Sequence, residues 1–169
     1  MKRYALASLT AICLASGLGY VHAQTDQSRR MSNAWLLDAP NDTERFRLLQ
    51  RYLRGFDQPM WEVGERYQKL YDALKLENYD MALYQWDKIK VTIQSGYLKR
   101  PARKANADAF LLDQNWAVVD AAFKSRNKAK AWDGFELARN SCMSCHEAEK
   151  VAFMNNQPLF HDTVPPAKR

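Results

Sequence analysis

The sequence predicts an all-α fold: an antiparallel four-helix bundle with an extra short helix in front of it. Three observations carry this. Four long stretches place apolar residues three and four apart, the spacing that lines up side chains along one face of a helix. The connections are short and marked by asparagine, aspartate, glycine or proline, and no run alternates apolar with polar residues as a half-buried strand would. Helices joined by short loops lie beside their neighbours and run in opposite directions, which gives an up-down-up-down bundle.

The chain begins with Lys2 and Arg3, an apolar run from Ala5 to Leu18, and the small-residue ending Val21-His22-Ala23. This is the form of a secretory signal peptide cleaved after Ala23. Cys13 would serve as a lipidation site only behind a small residue, and Ile12 stands there. The run is too short to span a bilayer and no later stretch is long and apolar enough, so stable membrane insertion is not expected. The expected location is a bacterial periplasm. Without residues 1–23 the chain of 169 residues keeps 146, enough for one domain with its own core, and its formal charge falls from +6 to +4.

Residues 24–41 read as an N-terminal arm with an apolar patch at Trp35, Leu36 and Leu37. Residues 42–154 read as the folded domain. Asn41, Asp42 and Thr43 offer capping oxygens to a short amphipathic helix through Phe46, Leu48, Leu49, Tyr52 and Leu53, which Gly55 can end. Asp57 and Pro59 open the first long helix, to about Lys75, with the stripe Met60, Val63, Gly64, Tyr67, Leu70, Tyr71 and Leu74. A glycine inside a helix costs about 1 kcal/mol, so Gly64 implies close approach either by a large flat group or by a packed helix. Asn78 caps the second helix, with the stripe Tyr79, Ala82, Leu83, Trp86, Ile89 and Ile93, closed by Gly96. The third carries Ala105, Ala109, Leu112, Trp116, Val119 and Phe123, evenly spaced over five turns. Asn127 caps the last, with Trp132, Phe135, Ala138, Cys142, Cys145, His146, Glu149 and Phe153 along or beside its inner face. Residues 155–169, with Pro158, Pro165 and Pro166, read as a tail.

The chemistry concentrates in Cys142-Met143-Ser144-Cys145-His146. On a helix each residue turns by about 100°, so Cys145 and His146 stand three and four places after Cys142 on one face. Two thiols can then form thioethers with the vinyl groups of a porphyrin while the imidazole reaches its iron, and Cys-x-x-Cys-His is the attachment signature of a c-type haem. A Cys-x-x-Cys pair also serves as half of a zinc site, as a redox dithiol or as a short disulfide. Beyond residue 23 zinc would find only Cys142, Cys145, His146 and His161, and a thioredoxin-like dithiol would need a preceding strand. The adjacent histidine and the export signal favour haem c, one per chain, with His146 as proximal iron ligand.

With this motif near the end of the last helix, the chain resembles the class II cytochromes c, the four-helix cytochrome c′ and its low-spin relatives such as cytochromes c-556 and c-554. The resemblance covers about residues 57 to 153, and its specific part is the haem motif. Cys145-His146-Glu147 fits the family; Lys150 stands where arginine is usual, and Glu149 where an aromatic residue commonly precedes it, as in a divergent branch. The resemblance implies a distal group at or beside Met60, an iron-ligating methionine in low-spin members and a non-ligating apolar side chain in cytochrome c′. It also permits a homodimer.

The function expected is periplasmic electron transfer by a monohaem cytochrome with His146 and Met60 on the iron. Five-coordinate iron binding nitric oxide or carbon monoxide is the alternative. A peroxidase-like enzyme would need a distal acid–base group, which no helix histidine supplies, so catalysis is not expected. Tyr67 and Trp86 are expected to pack on the ring, Arg54 and Lys150 to meet its propionates, and His161 to lie in solvent. The basic turns at Lys99, Arg100, Arg103 and Lys104 and at Lys124, Arg126, Lys128 and Lys130 suit an acidic redox protein or a merely solvated surface, not nucleic acid.

Overall fold

A computed structural model describes residues 33–166. The signal peptide expected at residues 1–23, and most of the arm, lie outside the described residues. The chain divides into two units at Asp38. Of the first, residues 33–38 form a turn closed by hydrogen bonds from Leu37 N and Asp38 N to Ala34 O, at 2.7 and 2.9 Å. The second unit is all-helical over its described residues, which contain no strand. Among the described residues no helix is long and apolar enough to cross a membrane.

Three asparagines start helices as their positions suggest. Asn41 Oδ1 accepts from Glu44 N at 2.9 Å to open α1 (Asp42–Tyr52). Asn78 Oδ1 accepts from Met81 N at 3.0 Å to open α3 (Tyr79–Lys99), the helix after α2 (Asp57–Lys75). Asn127 Oδ1 accepts from Lys130 N at 3.0 Å to open α6 (Lys128–Ala148). Each bond satisfies a backbone donor that the first turn leaves unpaired.

Helix ends obey another rule. Gly55 does not end α1; Arg54 does, at φ 60°, and Glu77, Arg126 and Lys150 take the same left-handed position at φ 54°, 51° and 60° after α2, α5 (Asn115–Lys124) and α6. Glycine would be the least strained residue at each. Gly96 does not close α3 either. It lies inside the helix, buried, where an added Cβ would stand 2.5 Å from Phe56 Cε2.

α2 and α3 form a hairpin and pack along their length; α5 (Asn115–Lys124) packs on α6 in the same way. α3 also meets α5, and α2 meets α6. The core draws Tyr67, Leu70 and Leu74 from α2, Trp86, Ile89 and Ile93 from α3, Val119 and Phe123 from α5, and Trp132, Phe135 and Ala138 from α6. Around it stand two aromatic clusters. Trp86 stacks on Trp116 at 4.1 Å between centroids; Tyr67 stacks on Phe135 at 4.8 Å, with Tyr71 and Trp132 beside them.

The third long helix is not continuous. A 3-10 turn (Pro101–Arg103) leads into α4 (Lys104–Ala107), then a π-turn (Asp108–Leu112) closed by Asp113 N to Asp108 O at 3.0 Å, and only then α5. A π-turn adds a residue to the helical repeat and shifts the inward face. Ala107 and Leu111 are therefore buried, while Ala105 and Ala109 are exposed. α1 differs too: none of its residues is buried, and Phe46 and Tyr52 are exposed.

α5 and α6 approach closely at Gly134, where an added Cβ would lie 2.7 Å from Ala122 Cβ. Gly134→Ala is expected to lower the unfolding free energy by about 1–3 kcal/mol through overpacking, although alanine is the better helix former by about 1 kcal/mol. Urea denaturation of the single and double variants checks this. In an Ala122→Gly background the same change should cost clearly less, and an equal cost in both backgrounds would refute the close approach as its cause.

Candidate functional site

The last turns of α6 hold the motif, and its two cysteines and histidine face three surroundings. Cys142 is half-buried against the core, where Tyr67 of α2 is its neighbour. Cys145, about 60° to one side, faces the basic and polar group of Arg103, Tyr97 and Asp108. His146, on the other side, meets the C-terminal segment: its Nδ1 lies 2.8 Å from Asn155 Oδ1, and its ring stands edge-on to Phe160 at 5.9 Å between centroids.

Local bonds fix the phase of this turn. Asn115 Nδ2 donates to Ser141 Oγ at 2.8 Å and to Phe110 O at 2.9 Å, tying buried Ser141 to the π-turn. Glu149 forms an ion pair with Arg103 and accepts from Asn106 Nδ2 at 2.7 Å. Glu149 thus clamps the end of α6 to the 3-10 turn and α4. Lys150 N and Val151 N then bond back to Glu147 O and His146 O at 3.0 and 2.8 Å, a Schellman end that turns the chain around.

The segment expected to be a tail is part of this site. After a 3-10 turn (Ala152–Asn156), α7 (Pro158–Asp162) lies against α2 and α6: Phe160 is buried, 5.8 Å from Tyr67 between ring centroids. Arg139 Nη2 donates to Phe160 O at 3.2 Å, and the Tyr71 hydroxyl to Val164 O at 3.3 Å. Its apolar anchors Leu159 and Phe160 form too short a run to show helical periodicity, so prolines dominate the local signal.

Burial sets the thiol chemistry. The Cys142 thiol is pushed up to about 12 by loss of water, with Cys145 adding to the effect. Burial also raises Cys145, against the pull of the Arg103 charge. Both cysteines are free, and both are held as thiols at neutral pH, the reverse of the lowered pKa that activates a redox dithiol. Among the described residues no three His, Cys, Asp or Glu side chains are grouped to hold a metal ion as a set.

The other residues singled out from sequence are spread over the bundle. Met60, two turns before Tyr67 on α2, is half-buried against the core. An added Cβ at Gly64 would make only an ordinary 3.5 Å contact with Leu159 Cδ2, so no helix backbone uses the room this glycine leaves. Trp86 stacks on Trp116, on the α3–α5 side. Arg54 pairs with Asp57, Lys150 is exposed, and exposed His161 bonds through Nε2 to Asn156 Oδ1 at 2.9 Å. Arg103, Lys104, Lys124, Arg126 and Lys128 are ion-paired within the chain, which removes much of the charge of the two basic turns.

Asn155 and Arg139 escaped the sequence reading. Arg139 stands one turn before Cys142, a spacing that places it on the motif's side of α6. Its Nε and the Tyr67 hydroxyl are the buried side-chain polar atoms without a hydrogen-bond partner among the described residues. Two thiols and an imidazole on one turn, with two unmatched donors nearby, are a donor set whose chemistry suits a flat, carboxylate-bearing group. Comparison of the chain with family models, curated proteins and solved structures gives no match.

In the folded chain without a bound group, Cys142 is expected to resist iodoacetamide at pH 8 and Cys145 to react far more slowly than free cysteine. Both should alkylate fully in urea, as mass measurement of each cysteine peptide reads out. Fast reaction at Cys142 in the native state would refute its burial as a neutral thiol.

Proposed function

We propose that this chain is a monohaem c-type cytochrome of the class II kind, an exported four-helix bundle of α2, α3, the broken α4–α5 segment and α6 that transfers electrons in the periplasm. One observation carries the reading: two cysteines and a histidine share one turn of α6, with the imidazole held at Nδ1 by Asn155. The signal-like N-terminus supports export, and the mutual contacts of α2, α3, α5 and α6 support the bundle.

When bound, haem supplies an iron that alternates between ferrous and ferric states. Cys142 and Cys145 would hold the group by thioether bonds, and His146 would offer the iron a nitrogen. Met60 offers a soft thioether from α2 as the second ligand. Tyr67, Phe135 and Phe160 exclude water from this side of the core, and Arg139 and Tyr67 present donors to a propionate. A protein surface of opposite charge is the natural redox partner for the parts of the two basic turns that internal pairs leave uncompensated.

A five-coordinate gas-binding site is the second reading. The apolar cover that Leu159 and Phe160 lay beside Gly64 and His146 favours it, since such a cover can shelter a small neutral ligand.

Co-expression with a haem-attachment system is expected to give a wild-type protein with one covalent haem by mass, lost in the Cys142→Ser, Cys145→Ser double variant. A ferric sulfur-to-iron charge-transfer band, abolished by Met60→Ala, would establish the electron carrier. A high-spin wild type that readily binds carbon monoxide would replace it with the gas-binding site, and a protein without covalent haem would overturn both.

A further inference from the structure

We propose that Asn155 is the positioning residue for His146: it selects the imidazole tautomer whose Nε2 carries the lone pair, and so brings the C-terminal segment into control of the site's donor strength. The haem half of this inference rests on the function proposed above; the tautomer half stands without it.

Donor and acceptor roles around Asn155 decide the tautomer. Asn155 Nδ2 lies 3.1 Å from Met143 O, and a carbonyl oxygen only accepts, so the amide NH2 must face Met143. That orientation leaves Asn155 Oδ1 facing the ring, 2.8 Å from His146 Nδ1. An amide oxygen also only accepts. Nδ1 must therefore carry the hydrogen, and in neutral imidazole the other nitrogen is then bare. Free histidine in water leans towards the opposite tautomer, so the protein imposes this one.

The clamp is built to last. Asn155 returns to the helix because α6 ends in the Lys150 Schellman turn, and because Met154 N bonds to Val151 O at 2.9 Å in the 3-10 turn after it. Buried Phe160 anchors α7 behind it, against Tyr67 and the His146 ring. With both ends of one amide engaged on α6, at Met143 and His146, the ring can neither flip nor swing without breaking bonds that water reaches poorly at this half-buried position. Outer partners of a metal-binding histidine fix its orientation and raise its basicity in this way.

The acceptor's charge then tunes the ligand. A neutral amide draws weakly on the Nδ1 proton; a carboxylate in its place would draw strongly, push electron density towards Nε2 and favour ferric over ferrous iron.

Nitrogen NMR of the full-length, haem-free chain, at a pH where His146 is neutral, reads the tautomer directly. Wild type and Asn155→Asp should both show Nδ1–H, and Asn155→Ala should revert to the mixture of free histidine, with far-UV circular dichroism confirming that each variant is folded. In the haem-loaded protein Asn155→Asp should lower the reduction potential relative to wild type. An Nε2–H tautomer in the wild type, or a tautomer unmoved by Asn155→Ala, would overturn the positioning role even where covalent haem is present. An unmoved potential with the tautomers as expected would overturn the tuning role. Absence of covalent haem would sink the proposed function and the tuning role together, while the tautomer result would still decide the positioning role. Should Asn155→Ala fail to fold, the tautomer in wild type and Asn155→Asp decides instead.

Discussion

The site depends on the rotational phase of one helical turn. Cys142, Cys145 and His146 span about 100° of the circumference of α6, so a rotation by even half a residue would turn one of them away from its surroundings. Four contacts on different sides hold that phase. Gly134 lets α6 settle onto Ala122, Ser141 takes a hydrogen from Asn115, Glu149 is clamped by Arg103 and Asn106, and His146 is met by Asn155. Two come from α5, one from the 3-10 turn with α4, and one from the C-terminal return, which is why α6 needs both the broken third segment and that return to be completed.

The broken segment has a structural reason in this light. A straight helix from 101 to 124 would present one continuous stripe to α6. Instead the 3-10 entry carries Arg103 to the end of α6, and the π-turn presents Phe110 O to Asn115, whose amide also donates to Ser141. The irregularity converts a packing helix into a frame with two polar fixing points. π-turns occur often at sites where a helix must do more than pack.

What could be read from the sequence was what local chemistry decides. The asparagine caps, the inner stripes of α2, α3 and α6, and the motif at Cys142 to His146 all come from side-chain type at a fixed spacing. What escaped was decided by distant partners. Gly96 looks like a helix stop until Phe56 is placed against it, and Gly134 shows its use only beside Ala122. Arg54, Glu77, Arg126 and Lys150 end helices at an angle their residue types disfavour, so the true ends carry no glycine mark. The even stripe from Ala105 to Phe123 is a periodicity that the π-turn overrides, and the return of residues 151–164 rests on Phe160, whose burial needs α2 and α6 already in place.

Polar accounting points to the same end of the molecule. A buried donor left without an acceptor costs about 1–3 kcal/mol, and folded proteins tolerate few. The Tyr67 hydroxyl and Arg139 Nε bear that cost under the α7 cover, and the Tyr67 hydroxyl has Cys142 as a neighbour. Burial, with Cys142 second, raises the Tyr67 hydroxyl above its usual range, so it stays a donor at any ordinary pH. The Thr163 hydroxyl, buried near it, donates to Leu159 O at 2.6 Å and keeps its oxygen as an acceptor. Departures from local rules concentrate where a protein binds or reacts rather than where it merely packs. Both unmatched donors stand beside the turn of α6 that carries Cys142.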